Sequence, residues 1–551
     1  MPFLWQFGFT SGNRLLLKLM EMAGIGKNMG KENKERWNEK QLTKRQLDIG
    51  YFIGFILLIG LICFLSFYKL DAKYVDPWDE ARHGVNAYEM YKEGSLIKST
   101  YLYETDYYNL KPPLSMWCIM VSFGILGANV FALRIYSALC YVLLSVIVGC
   151  FVKKTYGRVE ALFTLGFLAA NTTPFLAHMV RAGDADSLYV LLFTLAMLSM
   201  LQIEKNQKYL YACGLFFALA FLTKSFHAGA IVAVGGLFLL LTGELKKISV
   251  KTWGLFIASF GIPIGIWAIP RLFTDGTAFF KQMLLTDVLG RSGEGFGSVE
   301  GSFTYYLEYY LGLAGDNFPT MASKGTVYGL AVMICLVGAV YYNRLFTKEN
   351  YKKIAGYLLW LFIPFLAFSA VRTKLLWYMY PVFIPLFMAA GIIAGRLVKE
   401  KQISGFIRGM AAIFVVVGIG YFSKDVYVQI NEKINNQQSA LEFQQLVKNA
   451  AEEIKEARAF VLYEEEQAVW NQQDVFVAEA YGDYRCSNQE EGAAGIKRTL
   501  LQMAEQQAEE KQVLCFLSKE QYHSMAEAVR EAGYEMELVE ESEHYAAVMI
   551  K

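Results

Sequence analysis

At 551 residues, with 55% hydrophobic and only 19% charged side chains, the chain is too apolar for one soluble domain and long enough for a many-helix membrane protein. Its 52 basic and 51 acidic residues give a net charge of +1, with basic residues in short connecting loops and acidic ones crowded in the C-terminal tail. No basic stripe or nucleic-acid motif occurs, which excludes that partner class, and the eight cysteines show no metal-ligand spacing such as Cys-x-x-Cys.

In chain order, residues 1–50 are polar and basic and lack an early apolar core ending in a cleavage site, so they read as a cytoplasmic segment rather than a removable signal. A bilayer core ~30 Å thick needs about 20 apolar residues per helix. That window predicts spans near 51–70, 131–152, 159–177, 187–203, 209–223, 227–243, 253–272, 326–342, 354–371, 377–397 and 408–424. The fold class expected is an all-α polytopic membrane protein of about eleven transmembrane helices. Lys/Arg-rich connections at 153–158, 244–251, 343–353 and 396–408 fall on one side of such a chain together with the N-terminus, and by the positive-inside tendency that side is cytoplasmic. The loop 71–130, the turn after 177, Lys224, the segment 273–325 and Lys374 then fall on the other side. Segment 114–127 reads as a helix lying along that outer surface, and 273–325, with its glycines and Tyr305–Tyr310, as a lid. Residues 51–424 form one transmembrane domain and 425–551 a small extracytoplasmic α/β domain with strands expected at 459–463, 475–478, 513–517 and 545–550.

Charge beside hydrocarbon is costly, so charged clusters at span ends are candidates for function. Asp79 and Glu80 follow the first span among Tyr74, Trp78, Tyr88 and Tyr91, with Arg82 three positions on. One carboxylate can take a proton from an attacking hydroxyl while the other orients it. Lys111 precedes Pro112 and Pro113, which hold the backbone extended and present the lysine as a fixed phosphate contact. Arg82, Arg134, Lys224 and Lys374 are further candidate phosphate contacts, with headgroup anchoring as the alternative for Arg134 and snorkelling for the two lysines. Arg181, Asp184 and Asp186 share one tight external turn, and with Tyr378 they are candidate substrate contacts, helix capping being the rival for either acid. His83, His178 and His227 fall near the same face, but their spacing supports scattered interfacial histidines over a metal site.

Asp79-Glu-Ala-Arg82, Asn109-Leu-Lys-Pro-Pro-Leu-Ser-Met-Trp117, Ala132-Leu-Arg134, Ala220-Phe-Leu-Thr-Lys224 and Lys374-Leu-Leu-Trp-Tyr378, taken in order, resemble the membrane glycosyltransferases of the C-type fold (GT-C), near the protein O-mannosyltransferase and aminoarabinose lipid A transferase group. The resemblance covers about 51–397. It implies an outward-facing cavity, a polyprenyl-phosphate (undecaprenyl-phosphate) sugar as donor, a lipid, glycan or protein acceptor, and an acid matching Asp79 as base. The aminoarabinose enzymes carry a glutamate before Lys-Pro-Pro where this chain has Leu110, so that type of metal ligand is missing and no cofactor is assigned. Nucleotide sugars are not expected outside a cell, which independently calls for a donor that travels in the bilayer. The function expected is sugar transfer with inversion at the outer face of the plasma membrane. The alternative is a transporter or flippase of lipid-linked sugars, which usually shows internal duplication that is absent here.

Overall fold

The computed structural model describes residues 31–290, 301–311, 327–341, 351–436, 438–455, 457–461, 472–486, 513–531, 533 and 535–550. Met1–Leu57 and Leu58–Lys551 form two compact units. Within the first, the described part is the N-terminal portion of helix α1 (Lys31–Phe67), where the Tyr51 and Phe55 rings lie 5.7 Å apart. The second unit holds everything that follows.

There, α2 (Asp79–Glu93) leads to a two-stranded ribbon of β1 (Thr100–Tyr101) and β2 (Glu104–Thr105), then α3 (Leu114–Leu126) and α4 (Val130–Thr155). Next come α5 (Arg158–Ala169), α6 (Thr172–Leu176), α7 (Asp186–Met200), α8 (Tyr209–Lys224), α9 (Gly229–Leu241) and α10 (Val250–Asp275). The short α11 (Ala278–Met283) and α12 (Tyr305–Tyr310) precede α13 (Val327–Tyr341), α14 (Tyr351–Ala370), α15 (Tyr380–Lys399) and α16 (Gly405–Asn435). The polytopic α-helical class is borne out. Seven segments among the described residues are long and apolar enough to cross a membrane, and α3, α7 and α13 are shorter apolar helices.

The departures from the expected spans have local causes. The separate spans at 209–223 and 227–243 form one candidate crossing, Tyr209–Leu241, interrupted by a 3-10 turn at Ser225–Ala228 that begins with Ser225 at φ 45°. The span expected at 159–177 stops at Ala169, since Pro174 offers no amide to the Ala170 carbonyl four residues back and its ring crowds that carbonyl. It resumes as α6. Of the lid 273–325, only the stretches to 290 and from 301 to 311 are described, so Arg291 and Glu294 lie outside the described residues.

The C-terminal region builds α17 (Gln438–Glu453), β3 (Arg458–Val461), α18 (Gln472–Gly482), β4 (Arg485–Cys486), β5 (Val513–Ser518), α19 (Lys519–Glu531), β6 (Met536–Glu541) and β7 (Tyr545–Ile550). Its sheet order is β4-β3-β5-β7-β6, parallel through β4, β3 and β5 and antiparallel at β7 and β6. The strand expected at 475–478 is instead helical. Val475, Phe476, Val477 and Ala478 are all buried because α18 is covered on one side by α2 and on the other by α17 and the sheet, and a short run apolar all round does not distinguish strand from enclosed helix.

This sandwiching ties the C-terminal region to the helix that carries Asp79. Tyr74 donates to Asp474 at 2.5 Å, Lys92 to Asp483 at 2.9 Å, and the Val130 amide to the Tyr481 hydroxyl at 3.2 Å. Gly84 of α2 leaves the space that the Phe476 ring fills, since a Cβ there would stand 2.7 Å from the ring.

Candidate active site

α2 starts at Asp79 with two acids in its first turn, the end at which the helix dipole favours negative charge. Gly94 closes it in the left-handed conformation at φ 65°. Successive helix residues point about 100° apart, so Asp79 and Glu80 face different surroundings.

Glu80 faces inward. Its Oε1 accepts from Arg134 Nε and the Gly183 amide, both at 2.7 Å; its Oε2 accepts from Arg134 Nη2 at 2.8 Å and the Asp76 amide at 2.7 Å. Arg134 also donates to the carbonyls of Leu70, Lys73 and Tyr74. Both side chains are 1% exposed. With every acceptor site used, this pair staples the loop after α1 to α4 and to the turn before α7. Glu80, expected as a reacting group, and Arg134, expected as a phosphate contact, are thus engaged with each other in this structure.

Asp79, by contrast, is 36% exposed. Lys111 Nζ lies 2.7 Å from Asp79 Oδ1 and 3.5 Å from Asp184 Oδ1, while His178 Nδ1 lies 3.1 Å from Asp184 Oδ2 and 3.8 Å from Asp79 Oδ2. The His178 ring stacks on Trp377 with centroids 3.6 Å apart, and its backbone is left-handed at φ 54°. Burial alone would push the Asp79 carboxyl up, but the ammonium of Lys111 and the imidazole of His178 outweigh it, and the group titrates below the usual carboxylate range. Asp184 is likewise buried yet held far down by Lys111 and His178. In return, burial's downward pull on Lys111 is overcome by Asp184 and Asp79, and that on His178 by the Asp184 hydrogen bond and then the Asp79 charge, so both bases are raised.

Lys111 is positioned by a buried polar chain. Asn109 Nδ2 donates to Asn86 Oδ1 at 2.7 Å and to His83 Nδ1 at 3.1 Å, and His83 Nε2 meets Ser115 Oγ at 2.8 Å. Burial, reinforced by the nearby Lys111 cation, drops His83 to about 4, so it is a neutral hinge between α2 and α3. Asn86 in turn donates to Asp106 at 2.9 Å.

The remaining candidates divide. Arg82 forms a two-pronged pair with Asp106, both bonds at 2.9 Å, between the rings of Tyr101 and Tyr108. Lys224 is buried against Asp186 and lies near the Tyr189 and Tyr378 rings. Tyr378 is buried with His227 and Phe368 around it. Lys374 is buried, donates to the Ser369 carbonyl at 2.6 Å and to that of Val371, and is shifted down by desolvation. Arg181 binds the carbonyls of Leu65, Ser66 and Lys69 at the end of α1, a helix-capping role in place of the expected substrate contact.

His178 reads from the sequence as one of three scattered interfacial histidines, and the structure brings it into the cluster. Its presence three positions before Arg181, in the turn already marked by Asp184 and Asp186, is the signal that could have drawn it in. Asp79, His178 and Asp184 place their ligand atoms within 4.8 Å of one another, a donor set of suitable chemistry for a divalent ion. The residues present do not fit one as they stand, because Lys111 already directs its ammonium at both carboxylates.

Residues 110–267 match the family model described as dolichyl-phosphate-mannose-protein mannosyltransferase. The chain is 22% identical to an uncharacterized Aquifex aeolicus protein over 366 residues, 66% of this chain and 67% of that one. It is 25% identical over 352 residues to the undecaprenyl phosphate-alpha-4-amino-4-deoxy-L-arabinose arabinosyl transferase of Shewanella sediminis, covering 62% of this chain and 60% of that one. The alignment to a second Aquifex aeolicus protein, 29% identical over 244 residues, covers 43% of this chain and 53% of that one, so the chain spans about half to two thirds of the length of these curated relatives. In fold it is similar to the crystal structure of ArnT from Cupriavidus metallidurans bound to undecaprenyl phosphate, with a TM-score of 0.62 at 15% identity over 91% of this chain and 98% of that one. The GT-C resemblance read from the motifs is thereby borne out.

Proposed function

We propose that this membrane glycosyltransferase of the GT-C fold moves a sugar from a polyprenyl-phosphate donor to an acceptor hydroxyl, with Asp79 as general base. The observation that carries the reading is the meeting of Asp79, Lys111, Asp184 and His178 in one polar cluster at the end of α2. The likeness to a protein solved with undecaprenyl phosphate supports the class of donor.

In the resting cluster Lys111 holds Asp79 ionised but weakly basic. A donor phosphate gives the Lys111 ammonium a competing partner, and as the lysine turns toward it Asp79 is released and becomes more basic. The acceptor oxygen then attacks the anomeric carbon, Asp79 takes its proton, the bond from that carbon to the phosphate oxygen breaks, and the phosphate leaves with the electron pair. Lys111 stabilises that charge in a partly water-excluded setting, with Lys374 as a second cation once the lid stretch carrying Tyr306 shifts from it. A single displacement inverts the anomeric centre. Asp184 and His178 keep Asp79 and Lys111 aligned. The basic N-terminal segment and the basic loop 153–158, which flank the first two crossings, support a cytoplasmic N-terminus with Asp79 and Lys111 on the opposite face.

The test is transfer from polyprenyl-phosphate sugars by purified protein. Asp79→Asn should lower turnover about 10² to 10⁴-fold, the usual size of a general-base contribution, while leaving the melting profile in place. Turnover retained in that variant would remove Asp79 from the chemistry.

A further inference from the structure

α18 packs against the helix that carries Asp79, and the contact between them is built on carboxyl groups. At its start Gln473 donates to the Val75 carbonyl and Tyr74 to Asp474; in the middle the Phe476 ring fills the space over Gly84; at its end Glu479 meets Glu89. Glu89 and Glu479 are both 0% exposed, and none of their four oxygens has a hydrogen-bond partner. The cations of this region are engaged elsewhere: Lys92 pairs with Asp483, and Arg485 stands 3.8 Å from Glu93 with its guanidinium over the Tyr103 ring. A carboxylate buried without a counter-charge is far costlier than the neutral acid.

Burial is the largest influence on all three acids. It lifts Asp474 to about 6 and Glu89 to about 7, and with the Glu89 charge it lifts Glu479 further. The Tyr74 hydroxyl offsets part of this at Asp474, the Thr100 hydroxyl and the Tyr103 and Leu102 amides at Glu89, and the Cys486 amide and the Arg485 charge at Glu479. The Asp106 charge adds to the rise at Glu89. The phenols of Tyr74, Tyr88, Tyr103 and Tyr545 and the Cys486 thiol also face these acids, and burial raises each of them and keeps it neutral. The closed contact therefore holds protons that the separated carboxyls, at about 4, release. Low pH favours the contact, and ionisation as pH rises through about 6 to 7 sets like charges against each other in a dry setting.

We propose that the α2 and α18 contact is a proton-controlled dock, closed while Asp474, Glu479 and Glu89 hold protons and parted along α18 once they ionise, which ties sugar transfer to the acidity of the medium on that side of the membrane. The Lys92 and Asp483 pair at the rim keeps the region tethered when the dock parts. Glu89 lies ten positions after Asp79, about 15 Å along the helix, so parting from α18 removes the support of the far half of α2. The link to turnover rests on the glycosyltransferase reading; the dock does not.

The test is amide hydrogen exchange of the full chain in neutral detergent at about pH 5.5 and about pH 8.5, each rate scaled to the intrinsic one at that pH. In the native protein, protection of residues 472–482 should fall at least about tenfold between the two, the equivalent of one pKa unit, while β5 of the same sheet keeps its protection. The Glu89→Gln, Glu479→Gln double variant should lose less than about threefold. Native protection that ignores pH, or that falls in β5 as much as in 472–482, would overturn the dock with or without the variant, as would a double variant that responds as the native protein does. In sugar transfer by the same preparations, kcat should fall about tenfold from about pH 6.5 to about pH 8.5 in the native protein and less than about threefold in the double variant. Superimposed profiles would overturn the control of turnover. A chain with no transfer at all would strike the glycosyltransferase reading and leave the exchange result decisive for the dock.

Discussion

Replacing Glu80 with glutamine is the sharpest probe of the division between neighbouring acids. Each Glu80 oxygen accepts two donors, one from Arg134 and one backbone amide, at 2.7 to 2.8 Å. An amide nitrogen in place of either oxygen points its hydrogens at two donors and leaves a fully buried guanidinium without counter-charge. Breaking such a pair from one side costs about 3–5 kcal/mol. Asp79→Asn differs. Asp79 is 36% exposed and Lys111 keeps Asp184, so about 1 kcal/mol is expected there.

The assay is thermal unfolding in mild detergent, followed by far-UV circular dichroism, alongside sugar transfer on the same preparations. Glu80→Gln should melt well below the native protein, and the molecules still folded should turn over; Asp79→Asn should melt near native and fail to turn over. Arg134→Gln should resemble Glu80→Gln. In the double variant the two costs should sum to at least about 1 kcal/mol less than the singles, because neither charge is left alone. A Glu80→Gln protein with native melting but no transfer would refute the assignment and put Glu80 back among the reacting groups.

Glu89 of α2 and Glu479 of α18 are fully buried where the C-terminal region meets the helix that carries Asp79. Burial raises Glu89 to about 7, and burial together with the Glu89 charge raises Glu479 further. A folded-state value above the unfolded 4.5 means that the stability present at low pH is lost as pH rises through about 7; Glu89→Gln should remove that loss and gain up to about 3 kcal/mol at pH 8, read from melting between pH 5 and 8. Gly84→Ala places a Cβ against the Phe476 ring and should cost about 1–3 kcal/mol, most of it absent in a Phe476→Ala background, by the same melting assay. Lys374→Gln should lower kcat at least about tenfold with intact melting, if its cation meets the leaving phosphate.

The membrane class, the order of the motifs and the meeting of Asp79 with Lys111 and Asp184 were legible because they follow from length, hydropathy and charge, all of which act locally along the chain. Partner choice was not. Arg82, Arg134 and Arg181 read alike as cations at span ends, yet one clasps Asp106, one clamps Glu80 and one caps α1, and those outcomes depend on which carbonyls and carboxylates the fold delivers to each guanidinium. The helical state of 475–478 was hidden for a related reason: periodicity reports a face only when one side is wet, and α18 is enclosed.

One part of the site was within reach of elementary geometry. Two consecutive acids at a helix start cannot both face a cavity, since the helix turns about 100° between them. One must enter the core, and a carboxylate there needs a full set of donors to offset its desolvation. Glu80 obtains them from Arg134, Gly183 and Asp76, and the same bonds join the first loop, α4 and the turn bearing Asp184 into one frame. Asp79 is thus left at the opening on a rigid support, with Lys111 and His178 set against it by elements already fixed. If the buried acid supplies the positional precision and the exposed acid the proposed proton transfer, exchanging the order of the two residues should abolish both even though composition and charge stay the same.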